Sequence, residues 1–348
     1  MAVLKFLLLP LAILYDLVMD IRNRLYDLKL KPSASFAVPV IGVGNLAVGG
    51  TGKTPMVEYL IRLLQPKGNL VALSRGYGRK TKGFRIASPN ENADTLGDEP
   101  MQLYQKYGSQ VLVAVAEERA HAIPLILDQH PRITTVLLDD AFQHRKVKAG
   151  FSVLLTEYSR PFYSDYVLPY GRLREGPEGA QRADAIVVTK CPAHLTEEER
   201  MRIRYEVRKF APCPVYFSAI RFGAPRNFSG EPGEPASQVI LVSGIANPKP
   251  LEEFLAHEYR LVKHFNYRDH HRYRLSDLQK VEQYVQSLTT PVSVITTEKD
   301  KVKLDAPAFR ELVSRLPFFY LPIEMEFIGN SKDFDTLVLD FVNREPHS

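Results

Sequence analysis

The sequence predicts an α/β protein: a mostly parallel sheet covered by helices, a smaller second α/β domain, and an amphipathic helix at the N-terminus. Three observations carry that prediction. From Val38 on, short runs rich in Val, Ile and Leu alternate with helical patterns, and their lack of polar alternation suits strands buried on both faces. The proline- and glycine-rich stretch Gly223 to Pro235 divides the alternation in two. Before it begins, apolar residues recur at steps of three and four. The chain has 348 residues, which at roughly 150 per domain allows two domains, and 45% apolar residues supply their cores.

Ala2 to Leu14 carry one charge, Lys5, and hold the apolar run Phe6 to Leu9. The run passes into Tyr15, Asp16 and Asp20, which suits neither signal cleavage nor a bilayer span of about 20 apolar residues. An amphipathic helix fits instead. Leu7, Leu11, Leu14, Val18, Ile21, Leu25 and Leu28 form the stripe, and Asp16, Asp20, Arg24 and Asp27 lie off it. Periodicity does not separate a membrane-facing helix from one packed on its own domain. Leu8, Leu9, Ala12 and Ile13 widen the apolar face beyond one packing seam, which favours the interface. The expected division is therefore 1–32 for this helix, 33–218 for the first domain and 219–348 for the second.

In the first domain strands are expected at 40–43, 70–73, 111–115, 135–138, 153–155 and 186–188, and helices at 54–65, 99–107 and 118–129. The second repeats the pattern more loosely, with strands at 239–243, 260–265 and 292–296 and helices at 249–256 and 276–287. Lys plus Arg number 45 against 40 for Asp plus Glu, too mild an excess to imply a nucleic-acid partner. Cys191 and Cys213 are each followed by proline; they form neither a disulfide framework nor a metal-ligand spacing, and fit a reducing cytosol.

The strongest chemical signal is Gly44-Asn45-Leu46-Ala47-Val48-Gly49-Gly50-Thr51-Gly52-Lys53-Thr54, between the first strand and the first helix of the alternation. This is a P-loop in its proper context. Gly49, Gly50, Thr51 and Gly52 let backbone N–H groups turn toward phosphate oxygens, Lys53 reaches the β and γ phosphates, and Thr54 suits Mg²⁺. The consensus places glycine where Ala47 stands, so the match rests on the Gly-Lys-Thr half. The fold class becomes P-loop NTPase-type. Asp139 and Asp140, ending an apolar strand, supply the acidic partner that Mg²⁺ requires, although an Asp pair after a strand is also a common turn or cap. Thr189-Lys190-Cys191-Pro192 resembles the guanine-reading [NT]-K-x-D, but Pro192 stands where the acid belongs. ATP is the preferred nucleotide, with Lys190 either packed beside its base or an ordinary surface lysine.

Two further segments look built for chemistry. Lys67 through Arg85 hold six basic residues and no acidic one, with Arg75 and Tyr77 among glycines; the loop suits phosphates or an anionic head group, or is a solvated hairpin. Gly97-Asp98-Glu99-Pro100 reads as a helix cap, or, in a phosphotransferase, as the source of a proton acceptor. Asp269-His270-His271 reads as a surface cluster, half a metal site or a catalytic group.

Taken together these motifs resemble one family, the tetraacyldisaccharide 4'-kinases of lipid A biosynthesis. The likeness spans most of the chain and rests on Val43 to Pro55, Ser74 to Gly78, Gly97 to Pro100, Asp139 to His144, Leu173-Arg174-Glu175, Thr189-Lys190, Gly244 to Pro248, Asp269 to His271 and Thr297 to Asp300. Ala141 departs from the family's usual glycine. The resemblance implies transfer of the ATP γ-phosphoryl group to the 4'-hydroxyl of tetraacyldisaccharide 1-phosphate, a membrane lipid, at the cytoplasmic face of the bacterial inner membrane. The enzyme would meet that anionic surface through its N-terminal helix, with no nucleic acid and no obligate protein partner. It further implies that Lys53 and Thr54 hold phosphate and Mg²⁺, and that Asp139, Asp140, Gln143 and Glu175 surround the metal. Asp98 is implied as base, paired with His270, and Arg75, Tyr77, Glu99, Arg119 and Arg174 as groups for phosphoryl or lipid phosphate. The alternative of a different class is a P-loop switch or metallochaperone-like NTPase acting on a protein partner.

Overall fold

The computed structural model describes residues 2–329 and 331–344, with side chains from residue 8 onward. Expectations resting on Lys5, Phe6 and Leu7 lie outside the described side chains. A 26-residue helix, Ala2–Asp27, opens the chain. Fourteen strands follow among the described residues: β1 Val40–Asn45, β2 Asn69–Ser74, β3 Arg85–Ile86, β4 Leu112–Val115, β5 Ile133–Asp139, β6 Phe151–Glu157, β7 Ala185–Thr189, β8 Val215–Phe222, β9 Arg226–Asn227, β10 Gln238–Ser243, β11 Arg260–Asn266, β12 Val292–Thr297, β13 Phe318–Leu321 and β14 Ile323–Phe327.

Nine strands build one sheet in the order β14-β8-β7-β6-β1-β5-β2-β4-β3, parallel except for its two edges. The unbroken apolar character of its strands follows from burial on both faces. Ile41 and Val43 of β1 enter the core with helix Lys53–Leu64, while Val40 enters the core on the other face with Ile123 and Ile126 of helix Arg119–Gln129. In chain order the sheet grows in opposite directions from β1, which lies between β5 and β6. Such a reversal leaves a crevice outside the carboxyl ends of the central strands. The loops after β1 and β5 both open there.

The five remaining strands form a second sheet, β11-β10-β12-β13-β9, parallel except for β9. Its strands β10, β11 and β12 end toward the same cleft. The strands and helices anticipated from residue 40 to 297 are present, with ends shifted by at most two residues. The division expected at 218/219 is not where the chain changes sheets. Strand β8 runs through that boundary to Phe222, and β14 returns to pair with it antiparallel, Met325 opposite Ile220. Helix Ser331–Asn343 then packs Phe334 and Val338 into the first core. The second unit thus holds about residues 226–321, and the chain crosses between the two twice. Gly223 N–H donates to the Pro322 carbonyl at 2.8 Å, tying the outgoing and returning segments together.

The return is anchored by aromatic packing. Phe334, fully buried, lies 4.9 Å from Phe327 and 5.2 Å from Tyr216 between ring centroids. Tyr59, on the helix that follows the P-loop, sits 4.9 Å from Phe327 and donates to Asp335 at 2.6 Å. Phe334→Ala should therefore destabilise the protein by about 3–5 kcal/mol. Urea unfolding measures this, and a loss below about 1 kcal/mol would show that the C-terminal helix is peripheral to the nucleotide-binding core.

Candidate active site

The loop after β1 takes its shape from three residue types. Gly49 and Gly52 have φ of 119° and 87°, a left-handed backbone that a side chain resists. Gly44 lies under the loop that follows β5: a Cβ there would come within 2.6 Å of Phe142 Cβ. Asn45 donates to the Ala47 carbonyl at 2.6 Å. Ala47 is not left-handed; it bridges Leu173 antiparallel and buries its methyl, which removes the need for glycine. Lys53 begins the helix, and its Nζ stands between Asn45 Oδ1 at 3.4 Å and Asp140 Oδ1 at 3.5 Å. Thr54 is the next residue of that helix. Lys190 donates to the Gly50 carbonyl and, at 2.5 Å, to Glu157, so its ammonium braces the P-loop from the end of β7.

β5 pairs in parallel with β1, Asp139 opposite Val43, which brings the acidic pair beside the P-loop. Asp139 is buried. Its carboxyl is pushed up to about 7 by that burial, with Glu99 and Asp140 adding like charge against the opposing pull of Lys53. Asp140 is left-handed at φ 49° and faces the cations. Burial raises its carboxyl, but Lys53 and Arg174 outweigh it and hold it below the ordinary range. Arg174 Nη1 donates to both Asp140 oxygens, at 3.0 and 3.1 Å, and lies 3.3 Å from Gln143 Oε1. Gln143 donates to the Asn45 carbonyl at 2.9 Å and to Glu175 at 3.0 Å. Glu175, buried, also accepts from Arg182 at 2.8 Å. Arg119 is only 2% exposed and donates to the Asp140 carbonyl at 3.0 Å. Almost wholly buried, it supports the acidic turn through that carbonyl. Ala141 does not take a positive φ, and its N–H donates to the Val43 carbonyl at 3.0 Å, so its methyl brings no backbone strain.

The second unit closes the cleft's other wall. Asp98 begins helix Asp98–Tyr107, and its Oδ2 lies 3.3 Å from His270 Nδ1 and 3.8 Å from Lys303 Nζ. Burial raises the Asp98 carboxyl, but the His270 contact with Lys303 and Lys299 reverses that and holds it low. Its Oδ1 takes no hydrogen bond among the described residues. His270, left-handed at φ 56°, turns toward the cleft, while His271 turns back, bonds Asp277 at 2.9 Å and stacks on Tyr267. Tyr77 is 71% exposed and meets the His270 ring edge-on at 5.4 Å. Half of the basic run is paired, Arg79 with Glu117, Lys80 with Asp94 and Arg85 with Glu91, and Arg75 stands on the cleft wall.

These walls enclose a cleft of about 400 Å³ whose lining includes Arg75, Asp98, Asp139, Asp140, Arg174 and His270. Three further lining residues come from the N-terminal helix: Tyr15, Met19 and Arg22. Tyr15 donates to the Arg174 carbonyl at 2.8 Å, Arg22 to the Gln143 carbonyl at 2.8 Å and Asn23 to Glu175 at 2.5 Å. Sequence reasoning followed the helix's apolar stripe and missed this polar one, whose signal was Tyr15, Arg22 and Asn23 on the opposite side. The stripe points outward: Leu11, Leu14, Val18 and Ile21, with Ile13 and Leu17, are 50–62% exposed. Among the described residues no helix is long and apolar enough to cross a membrane.

The profile of the family described as tetraacyldisaccharide-1-P 4'-kinase matches residues 4–343. The chain belongs to the tetraacyldisaccharide 4'-kinase family. The Flavobacterium johnsoniae tetraacyldisaccharide 4'-kinase is 44% identical, covering 99% of this chain and all of that one. The Bacteroides thetaiotaomicron enzyme of the same name is 40% identical over 96% of this chain and 92% of its own. Among solved structures, LpxK from Aquifex aeolicus in complex with ATP superposes with a TM-score of 0.75 at 28% identity, covering 97% and 99% of the two chains. The protein is thus a kinase of lipid A biosynthesis acting on a lipid disaccharide, and a switch acting on a protein partner is not favoured.

In this kinase Asp139 gives the ligand-free protein a distinctive pH dependence. A carboxyl with a raised folded pKa binds its proton more tightly when folded, so its contribution is full below about pH 4 and is lost as pH rises through about 7. Asp139→Asn should gain stability relative to the native chain across that window, by on the order of 2–4 kcal/mol at pH 8, while losing turnover. A stability difference that stays flat between pH 5 and 8 would show that Asp139 ionises normally.

Proposed function

We propose that the protein transfers the γ-phosphoryl group of Mg²⁺-ATP to the 4'-hydroxyl of tetraacyldisaccharide 1-phosphate, working on the anionic cytoplasmic face of the inner membrane. One arrangement carries the reading: a P-loop lysine, an acidic pair and an aspartate–histidine pair meet in a cleft roofed by a helix whose apolar side faces away from the protein. P-loop N–H groups and Lys53 hold the phosphates. Arg174 stands where charge on the moving phosphoryl group develops, and Arg75 and Tyr77 stand at the cleft wall for the lipid head group.

The residues present fit Mg²⁺. Asp139 Oδ1 and Thr51 Oγ1 are buried without a hydrogen-bond partner, and a cation would relieve the charge crowded at Asp139. Thr54, Asp139, Asp140, Gln143 and Glu175 are the groups that would hold it, directly or through water. Bound there, Mg²⁺ would neutralise charge on the phosphate oxygens. Asp98 accepts the proton of the sugar hydroxyl through its open Oδ1, and His270 orients it.

The direct test is purified protein with γ-labelled ATP and a panel of lipid and soluble acceptors; label in a soluble sugar and none in the disaccharide lipid would refute the reading. Asp98→Ala and His270→Ala should each lower kcat by on the order of 10²-fold, with the double mutant little worse than the poorer single one. Multiplicative losses would separate the two residues, and unchanged kcat in Asp98→Ala would remove the base.

The exposed stripe supports interfacial work, since extracting a four-chain lipid into water costs about 0.8 kcal/mol per CH₂. The triple change Leu11→Asp, Leu14→Asp and Val18→Asp should cut sedimentation with anionic vesicles at least fivefold and raise the apparent KM for lipid, leaving ATP affinity intact. Undiminished vesicle binding would show that the stripe is not the membrane contact.

A further inference from the structure

Of the four residues Thr297-Glu298-Lys299-Asp300, three serve the architecture. Thr297 caps its helix through the Asp300 N–H at 3.0 Å. Glu298 meets Lys106 at 3.1 Å, and Asp300 accepts from Gly244 N–H and pairs with Lys303, both at 2.8 Å. Lys299 differs. Its Nζ lies 3.2 Å from His270 Nε2, and 3.6 Å from both Glu99 Oε1 and Asp269 Oδ1.

An ammonium group has three donors and no acceptor, so a ring nitrogen facing it must offer a lone pair. Nε2 of His270 is then unprotonated. The neutral ring carries its proton on Nδ1, the atom 3.3 Å from Asp98 Oδ2. We propose that Lys299 is a positioning residue: it fixes His270 as the neutral Nδ1–H tautomer, which makes His270 a donor to Asp98 and leaves Asp98 Oδ1 as the only atom of the pair open to the substrate hydroxyl. This deepens the reading of Asp98 and His270 given above and rests on it. In the transfer step the 4'-hydroxyl O–H bond breaks and its proton goes to Asp98 Oδ1. The sugar oxygen forms the new O–P bond as the bond to the leaving diphosphate oxygen breaks. His270 keeps its Nδ1 proton throughout, and Asp98 later returns its own to solvent.

The charges around the ring explain why a cation is needed. Helix Asp98–Tyr107 presents Asp98 and Glu99, and the ring's own loop presents Asp269, whose Oδ2 is 3.9 Å from Nε2. The loop at residue 77 presents Tyr77, and helix Glu298–Leu304 presents Lys299 and, behind Asp98, Lys303. Without Lys299 the carboxylates of Asp98 and Asp269 would face the imidazole with no cation at Nε2, and would favour imidazolium. An imidazolium would grip the Asp98 charge harder and weaken it as a base. Lys299 opposes this by placing a like charge beside Nε2.

The test reads the ring directly. The full chain is labelled with ¹⁵N-histidine, and the His270 ring signals are assigned by their loss in His270→Gln. The wild-type ring should show the neutral Nδ1–H pattern at pH 7. In Lys299→Met the ring pKa should rise by about one unit, tenfold in proton affinity, and in Lys299→Arg it should stay near the native value. The acid limb of the kcat–pH profile of Lys299→Met should move up by a similar amount, with kcat recovering at high pH. A wild-type Nε2–H pattern overturns the proposal and needs only the assignment variant His270→Gln, with Lys299 untouched. So does an unshifted titration in Lys299→Met, or a kcat loss equal at every pH, which is the mark of a merely structural role. The ring signals do not depend on turnover, so a failure of Asp98 as base would show separately, as unchanged kcat in Asp98→Ala.

Discussion

Two carboxylates at the end of a buried parallel strand have to be neutralised, and most of the site answers to that requirement. Ionised groups removed from water cost several kcal/mol each unless paired. Here the pairing is uneven. Asp140 takes Lys53 and Arg174, with Arg119 holding its carbonyl, whereas Asp139 faces Glu99 and keeps an oxygen without a partner. The protein alone thus satisfies one acid and leaves the other raised toward neutrality, the electrostatic condition that favours an incoming cation. Lys53, Arg174, Gln143 and Glu175 form one connected network around this pair, which couples the P-loop to the segment after the cis Leu168–Pro169 bond and to the N-terminal helix.

The second unit is held to that centre by charge as well as by chain. Lys106, on the helix that Asp98 begins, bonds Glu58 of the P-loop helix at 2.6 Å and Glu298 of the second unit at 3.1 Å. Burial raises Glu58, and the Lys106 ammonium only partly offsets it. One lysine therefore registers three elements: the helix behind the phosphates, the helix that carries Asp98 and the helix that carries Lys299. The double crossing of the chain leaves the second sheet as an insertion, so His270 and Lys299 come from a body joined to the P-loop sheet by two chain crossings and this ionic seam, while Asp98 belongs to the P-loop unit itself.

The N-terminal helix turns Tyr15, Arg22 and Asn23 to the protein and leaves its apolar stripe outward, beside the exposed Asp20 and Arg24. Tyr15 and Arg22 bond backbone carbonyls at the cleft rim, so the helix that carries the exposed apolar stripe is also a wall of the cleft.

Much was legible in residues alone because local chemistry repeats with a fixed period. The βα alternation, the P-loop, the aspartates after β5 and the stripe of the first helix all depend on neighbours within a few residues. The sequence determined which strands are buried, where the glycine-rich loop turns into its helix and which side chains are chemically able to serve. It did not determine the return of β14 and the last helix to the first core, because pairing over about 100 residues leaves no local period. Nor did it place Arg119 behind the acidic turn, distinguish His270 from His271, set the polar side of the first helix against Glu175, or bring Lys299 to His270. Those outcomes depend on side-chain direction and on charges brought together by distant elements. Electrostatic neutralisation in a buried cleft acts through distance in space, and only the tertiary structure sets that distance.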